Sequence, residues 1–113
     1  VKKIEAYIKT HRLNEVIERL HEIDGLSGVS IHDIKGFGAT RGHNDSVRIV
    51  DDTINWAPHV KLELFCKNEI VERALGAIVD GAHTGLCSDG KVYVSPVEDA
   101  VRIGTRERGE SAI

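Results

Sequence analysis

Two short stretches carry the residue types that an anion needs. Lys35–His43 reads K-G-F-G-A-T-R-G-H and Thr84–Lys91 reads T-G-L-C-S-D-G-K, and they begin 49 residues apart. Each sets small residues and backbone N–H groups beside a cation, the combination that receives phosphate oxygens. In the first, Gly36 and Gly38 admit close ligand approach, while Thr40 adds a hydroxyl and Arg41 a guanidinium that can fork onto phosphate. In the second, Thr84, Ser88 and Asp89 precede Gly90 and Lys91. Taken singly, each stretch reads as a turn. The G-x-G-x-x-x-G spacing lacks the strand–turn–helix context of a dinucleotide fingerprint and the G-K-[ST] of a P-loop, and an Asp-Gly pair turns a chain without any ligand. Two such loops in one small domain point to a nucleotide-sized ligand, and the polar stretch after the first reads as a moving reporter.

Other chemistries are thinly represented. The six histidines (His11, His21, His32, His43, His59, His83) show no metal-ligand spacing. Cys66 alternates with apolar residues and reads as a buried hydrophobe, and Cys87 lies in the second loop without a flanking base. No nucleophile–base pair is visible, which leaves nucleotide hydrolysis as the weakest reading. The formal charge of −3 gives no support to nucleic-acid binding.

The 113 residues predict a single domain, residues 1–113, that buries roughly 65% of its unfolded surface. Apolar residues make up 41%, but only 4% are aromatic, so aliphatic side chains must fill the core. Lys2 and Lys3 lead into Ile4-Glu5-Ala6 rather than an apolar signal segment, and no run approaches the ~20 apolar residues of a membrane span. Two cysteines make no disulfide framework. A reduced, cytoplasmic setting is expected.

The elements that position the loops follow from periodicity. Ile4, Ala6 and Ile8 alternate with Lys3, Glu5, Tyr7 and Lys9, a half-buried strand. Leu13, Val16, Ile17, Leu20 and Ile23 recur at helical spacing, and Asp24-Gly25 supplies a stop. Val29–Lys35 is a second strand, and residues 38–57 form a long polar segment ending at Ala57-Pro58. Val60, Leu62, Leu64 and Cys66 mark a third strand. Asn68 is read as the N-cap of a helix with the stripe Ile70, Val71, Ala74, Leu75, Ile78 and Val79, ended by Asp80-Gly81. Val92–Val97 is a last strand. The order β-α-β, long loop, β-α-β is the ferredoxin-like split of an α+β fold. Its helices cover one sheet face, and alternation leaves Glu5, Tyr7, Lys61, Glu63, Phe65 and Tyr93 on the other, a mixed face suited to oligomerisation.

At this level of detail the chain resembles the PII signal-transduction (nitrogen regulatory) proteins over nearly its whole length, and a divergent PII-like branch among them. The resemblance rests on K-K-I-E-A-x-I-K at the start and I-K-G-F-G-x-x-R-G-H at Ile34–His43. P-x-V-K-L-E-L at Pro58–Leu64, A-x-T-G-x-x-x-D-G-K at Ala82–Lys91, and the closing Arg102-Ile103 and Ala112-Ile113 extend it. It implies a homotrimer whose main role is regulatory rather than enzymatic. An adenine nucleotide (ATP, ADP or AMP, with or without Mg2+) would bind in clefts between subunits. The T-loop, about residues 38–57, would report it to a regulated enzyme or a membrane transporter, with neither nucleic-acid binding nor membrane insertion.

Residue by residue, the resemblance brings Gly36, Gly38, Thr40 and Arg41 to the phosphates. Gly90 and Lys91 of a loop spanning about 82–91 would complete the phosphate contacts with Arg102 of a tail spanning about 102–113 that reaches in from a neighbouring subunit, while Thr84, at the entry to that loop, Ser88 and Asp89 count among the nucleotide-binding residues. Ser30, Glu63, Phe65 and Tyr7 would hold the adenine and ribose, and Val47, Arg48, Ile49 and Val50 would meet the partner. Three departures bear on the effectors. Thr40 stands where the family has glutamine, His59 replaces the lysine that meets 2-oxoglutarate, and Gly104 replaces a second tail arginine. Nucleotide binding is therefore expected to survive, with ADP or AMP favoured by the smaller number of cations, and 2-oxoglutarate sensing to be weakened or lost. The T-loop has no tyrosine to modify. A metal-responsive or bicarbonate-responsive regulator of a membrane transporter, or a weak nucleotide hydrolase, are the alternatives.

Overall fold

The alternating and helical patterns resolve into a four-stranded sheet carrying two helices on one face. The computed structural model describes residues 1–36, 49–50, 53–54 and 57–113. In chain order the elements are β1 (Lys2–Lys9), α1 (Leu13–His21), β2 (Ser30–Gly36), the short β3 (Ile49–Val50) and β4 (Thr53–Ile54), β5 (Ala57–Cys66), α2 (Val71–Ala82) and β6 (Gly90–Pro96). The sheet order is β2-β5-β1-β6, every neighbouring pair antiparallel. This is the predicted ferredoxin-like arrangement. β3 and β4 pair separately, Ile49 with Ile54 and Val50 with Thr53, so the long polar segment holds a short ladder. The third strand starts earlier than Val60: Ala57 and Pro58 already pair with Gly36 and Lys35.

Strand alternation decides the core. Ile4, Ala6 and Ile8 of β1 and Val60, Leu62, Leu64 and Cys66 of β5 point at the helices and are almost wholly buried. They meet Val16 and Leu20 of α1, and Ile70, Ala74, Ile78 and Ala82 in and before α2. Among the described residues no aromatic belongs to this cluster, in line with a composition poor in aromatics. Each large aliphatic here contributes on the order of 1.5–3 kcal/mol by leaving water. Burial also pushes the Cys66 thiol above its usual pKa.

Three local readings are corrected. The α2 stripe is narrower than predicted, since Val79 is half exposed. Asn68 caps no helix. It opens a 3-10 turn whose N-cap is Lys67, and its Oδ1 accepts a hydrogen bond from the Val1 ammonium at 3.0 Å. Asp80-Gly81 does not end α2, which continues to Ala82 before His83 turns extended.

Gly81 instead lets the helices approach. A Cβ there would lie 2.9 Å from Val16 Cγ2 and 3.0 Å from Val16 Cα. Arg12 then donates from Nε to the Gly81 carbonyl at 2.8 Å, placing positive charge on a last-turn carbonyl that no helical N–H can reach. Gly81→Val is expected to destabilise the protein by about 1–3 kcal/mol through overpacking, read as a lower urea midpoint. Gly76→Ala, in the same helix with no atom within 4 Å of the added Cβ, is expected to stabilise by up to about 1 kcal/mol through helix propensity.

Candidate functional site

The second glycine loop joins the end of α2 to the start of β6, and Asp89 is its organiser. Asp89 Oδ2 accepts the backbone N–H of Thr84 at 2.9 Å and that of Gly85 at 3.3 Å, while Oδ1 accepts the Thr84 hydroxyl. Thr84 Oγ1 in turn accepts the Leu86 N–H at 3.1 Å. The Lys9 ammonium, at the far end of β1, lies 3.3 Å from Asp89 Oδ1. Burial alone would raise the Asp89 pKa. The donors from Thr84, Lys9 and Gly85 outweigh it and hold the carboxyl at about 2, so it is ionised at neutral pH. The Asp-Gly pair is thus more than a turn signal: the aspartate folds the loop back on itself and ties it to the sheet.

Gly90 completes that attachment. Its φ is +112°, and a Cβ there would lie 1.7 Å from the Tyr7 carbonyl oxygen. Lys91 stands opposite Tyr7 in the β1–β6 ladder. Ser88 also has a left-handed backbone, at φ 66°.

The rest of the predicted site spreads over the open sheet face. Ser30 lies opposite Glu63, Glu63 opposite Glu5, and Glu5 opposite Tyr93, so these four form one row across the sheet. Tyr7 sits in the next row with Lys61 and Lys91, its ring edge-on to Tyr93 with centroids 5.9 Å apart. Phe65 is opposite Lys3 and partly exposed. Glu63 is not idle: with Glu5 it alternates with Lys3 and Lys61 in a four-charge cluster, at 3.2 Å for the Glu5 pairs and 3.6 Å for its own. Hydrogen bonding from Lys3, then Lys61, lowers the Glu5 pKa, and hydrogen bonding to Glu5 raises both lysines.

Gly36 ends β2 while Gly90 begins β6, on opposite edges of the sheet but at the same end of it. Three strand spacings separate those edges, roughly 14 Å. The tail folds on itself: Val101 bridges Arg108, the Arg106 N–H donates to the Arg102 carbonyl at 2.7 Å, and Arg108 pairs with Asp99. The Arg102 guanidinium donates to the Ile113 carbonyl at 3.2 Å. Of the remaining predicted residues, Gly38, Thr40, Arg41, Val47 and Arg48 lie outside the described residues, and Ile49 and Val50 are described as backbone in β3. Lys9 was missed as a site residue. Alternation put it on the open face with Tyr7, but nothing in its neighbourhood in sequence signals an aspartate 80 positions on.

Known proteins resemble this chain over its full length. The family model for nitrogen regulatory protein P-II matches residues 1–107. A nitrogen regulatory protein P-II of Azospirillum brasilense is 46% identical over 113 residues, covering all of both chains, and one of Rhodospirillum rubrum is 47% identical over the same span. The crystal structure of Arabidopsis thaliana PII bound to citrate superposes with a TM-score of 0.79 at 36% identity, covering 99% of this chain and 91% of that one. With a family model matching residues 1–107, full-length similarity of this degree and the same fold, the chain belongs to the nitrogen regulatory protein P-II family of signal-transduction proteins.

Proposed function

We propose that the protein is a non-enzymatic cytoplasmic regulator that binds an adenine nucleotide in clefts between the subunits of a homotrimer. The observation that carries this reading is the loop from Thr84 to Lys91. It is folded around the ionised Asp89 and delivers Gly90 and Lys91 to the edge of a sheet whose open face bears Tyr7, Tyr93 and Phe65. A preformed loop beside a lysine suits phosphate, and an exposed aromatic face beside it suits both a base and a neighbouring subunit. The membership of the P-II family supports the same assignment. Residues 38–57, with Val47, Arg48, Ile49 and Val50, are assigned to partner contact, and Gly36, Gly38, Thr40, Arg41 and Arg102 to the phosphates. Among the described residues no helix is long and apolar enough to cross a membrane, and no observation favours the metal-responsive, bicarbonate-responsive or hydrolytic alternatives.

Because Thr40, His59 and Gly104 stand where the family has glutamine, lysine and arginine, 2-oxoglutarate sensing is assigned as weakened or lost. Isothermal calorimetry tests both parts. ADP and ATP are expected to bind with one site per chain, and Lys91→Gln to weaken ATP by about tenfold or more, the scale of a charge-assisted phosphate contact. Adding 2-oxoglutarate with Mg-ATP is expected to give little further heat. A protein that binds neither nucleotide would overturn the assignment, and tight 2-oxoglutarate binding would overturn its second part alone.

A further inference from the structure

Lys9 belongs to no loop, yet its side chain reaches from the central strand β1 into the Asp89 cluster. Its ammonium is tethered at the end of β1, between β5 and β6. Its side chain is 17% exposed and that of Asp89 22%, so solvent screens the pair only in part. Asp89 divides its oxygens: Oδ2 takes two backbone N–H groups of the loop, and Oδ1 takes the Thr84 hydroxyl and Lys9. Every other donor in that set comes from the loop itself. Without Lys9 the carboxylate would still close the turn on itself, but it would lose its ion pair to the sheet.

We infer that Lys9 is a positioning residue for the nucleotide loop. Through Asp89 it fixes where the Thr84 and Gly85 amides, and so the loop leading to Lys91, stand relative to the sheet before any ligand arrives. The inference rests on the nucleotide-binding reading above for its consequence, though not for its geometry. A loop held in place beforehand binds more tightly because less ordering is left to the binding step.

The test uses the full chain and four variants: Lys9→Met, Lys9→Arg, Asp89→Asn and Lys9→Met with Asp89→Asn. Hydrogen exchange in the ligand-free protein comes first. Lys9→Met is expected to speed exchange at the Thr84 and Gly85 amides by about tenfold, the scale of one charge-assisted hydrogen bond, with Lys9→Arg restoring protection. Unchanged protection in Lys9→Met overturns the inference whatever the nucleotide data say. Calorimetry with ADP and AMP follows. Lys9→Met is expected to weaken both by a similar factor of about ten, and the double variant to be no weaker than Asp89→Asn alone, as for two residues acting as a unit. Losses that add, or that are larger for ADP than for AMP, would mean Lys9 meets phosphate directly and would overturn the positioning role. If the wild-type protein binds neither ligand while the exchange result holds, the nucleotide reading fails and the structural linkage stands.

Discussion

Gly90→Ala is expected to cost more than about 3 kcal/mol of stability, with a fall in melting temperature on the order of 15 °C. Two independent penalties coincide there. At φ +112° an L side chain is strained wherever it finds itself. The added Cβ would also stand 1.7 Å from the Tyr7 carbonyl oxygen and 2.9 Å from its carbon, both backbone atoms of β1. A flexible side-chain end would rotate away, but a central strand cannot. Relief requires β6 to lift off β1 at its first pair, Gly90 with Ile8, and that pair lies next to both Lys91 and Asp89. Loop geometry should therefore fail along with stability, giving weakened nucleotide binding even in the fraction that remains folded. Thermal unfolding with a parallel Gly104→Ala variant makes the comparison clean. Gly104 has ordinary backbone geometry and nothing within 4 Å of an added Cβ, so its substitution is expected to stay within about 0.5 kcal/mol. Equal melting temperatures for the two variants would refute the account.

The fold was legible because its signals are local and periodic. Ile4, Ala6 and Ile8 against Lys3, Glu5 and Tyr7 state the strand and both its faces, and β5 repeats the statement from Val60 to Cys66. Once two antiparallel strands share a register, the rows on the open face follow, which is why Glu5, Tyr7, Lys61, Glu63, Phe65 and Tyr93 were placed correctly. What failed was the reading of residues whose role depends on a distant partner. Asp80-Gly81 has the composition of a helix stop, but Val16, more than sixty positions earlier in the chain, makes the glycine a packing contact. Asn68 has the composition of an N-cap, but its oxygen serves the Val1 ammonium. The second loop lies between these extremes. Its turn chemistry and its lysine are visible in eight consecutive residues, whereas the carboxylate hub at Asp89 becomes evident only when Lys9 and Thr84 converge on it.

Asp89→Ala is expected to destabilise the protein at pH 7 by about 2–4 kcal/mol, because it strands the Thr84 and Gly85 N–H groups and leaves the Lys9 ammonium unpaired. The acid limb of the stability curve separates this from a simple loss of packing. The folded carboxyl titrates at about 2 against an ordinary 3.8, so its contribution is complete above the unfolded value and is lost as pH falls from there through the folded one. The depression corresponds to roughly 2.5 kcal/mol at most. Wild type should therefore shed that amount between about pH 4 and pH 2, and Asp89→Ala should not. Glu5 and Asp99 are lowered in the same direction, so the two proteins share those slopes and only their difference isolates Asp89. Urea unfolding at pH 7, 4, 3 and 2 is expected to show the gap between them narrowing as the pH drops. A gap that stays constant across that range would mean the aspartate holds the loop by shape alone, with its charge and its pairing to Lys9 contributing nothing.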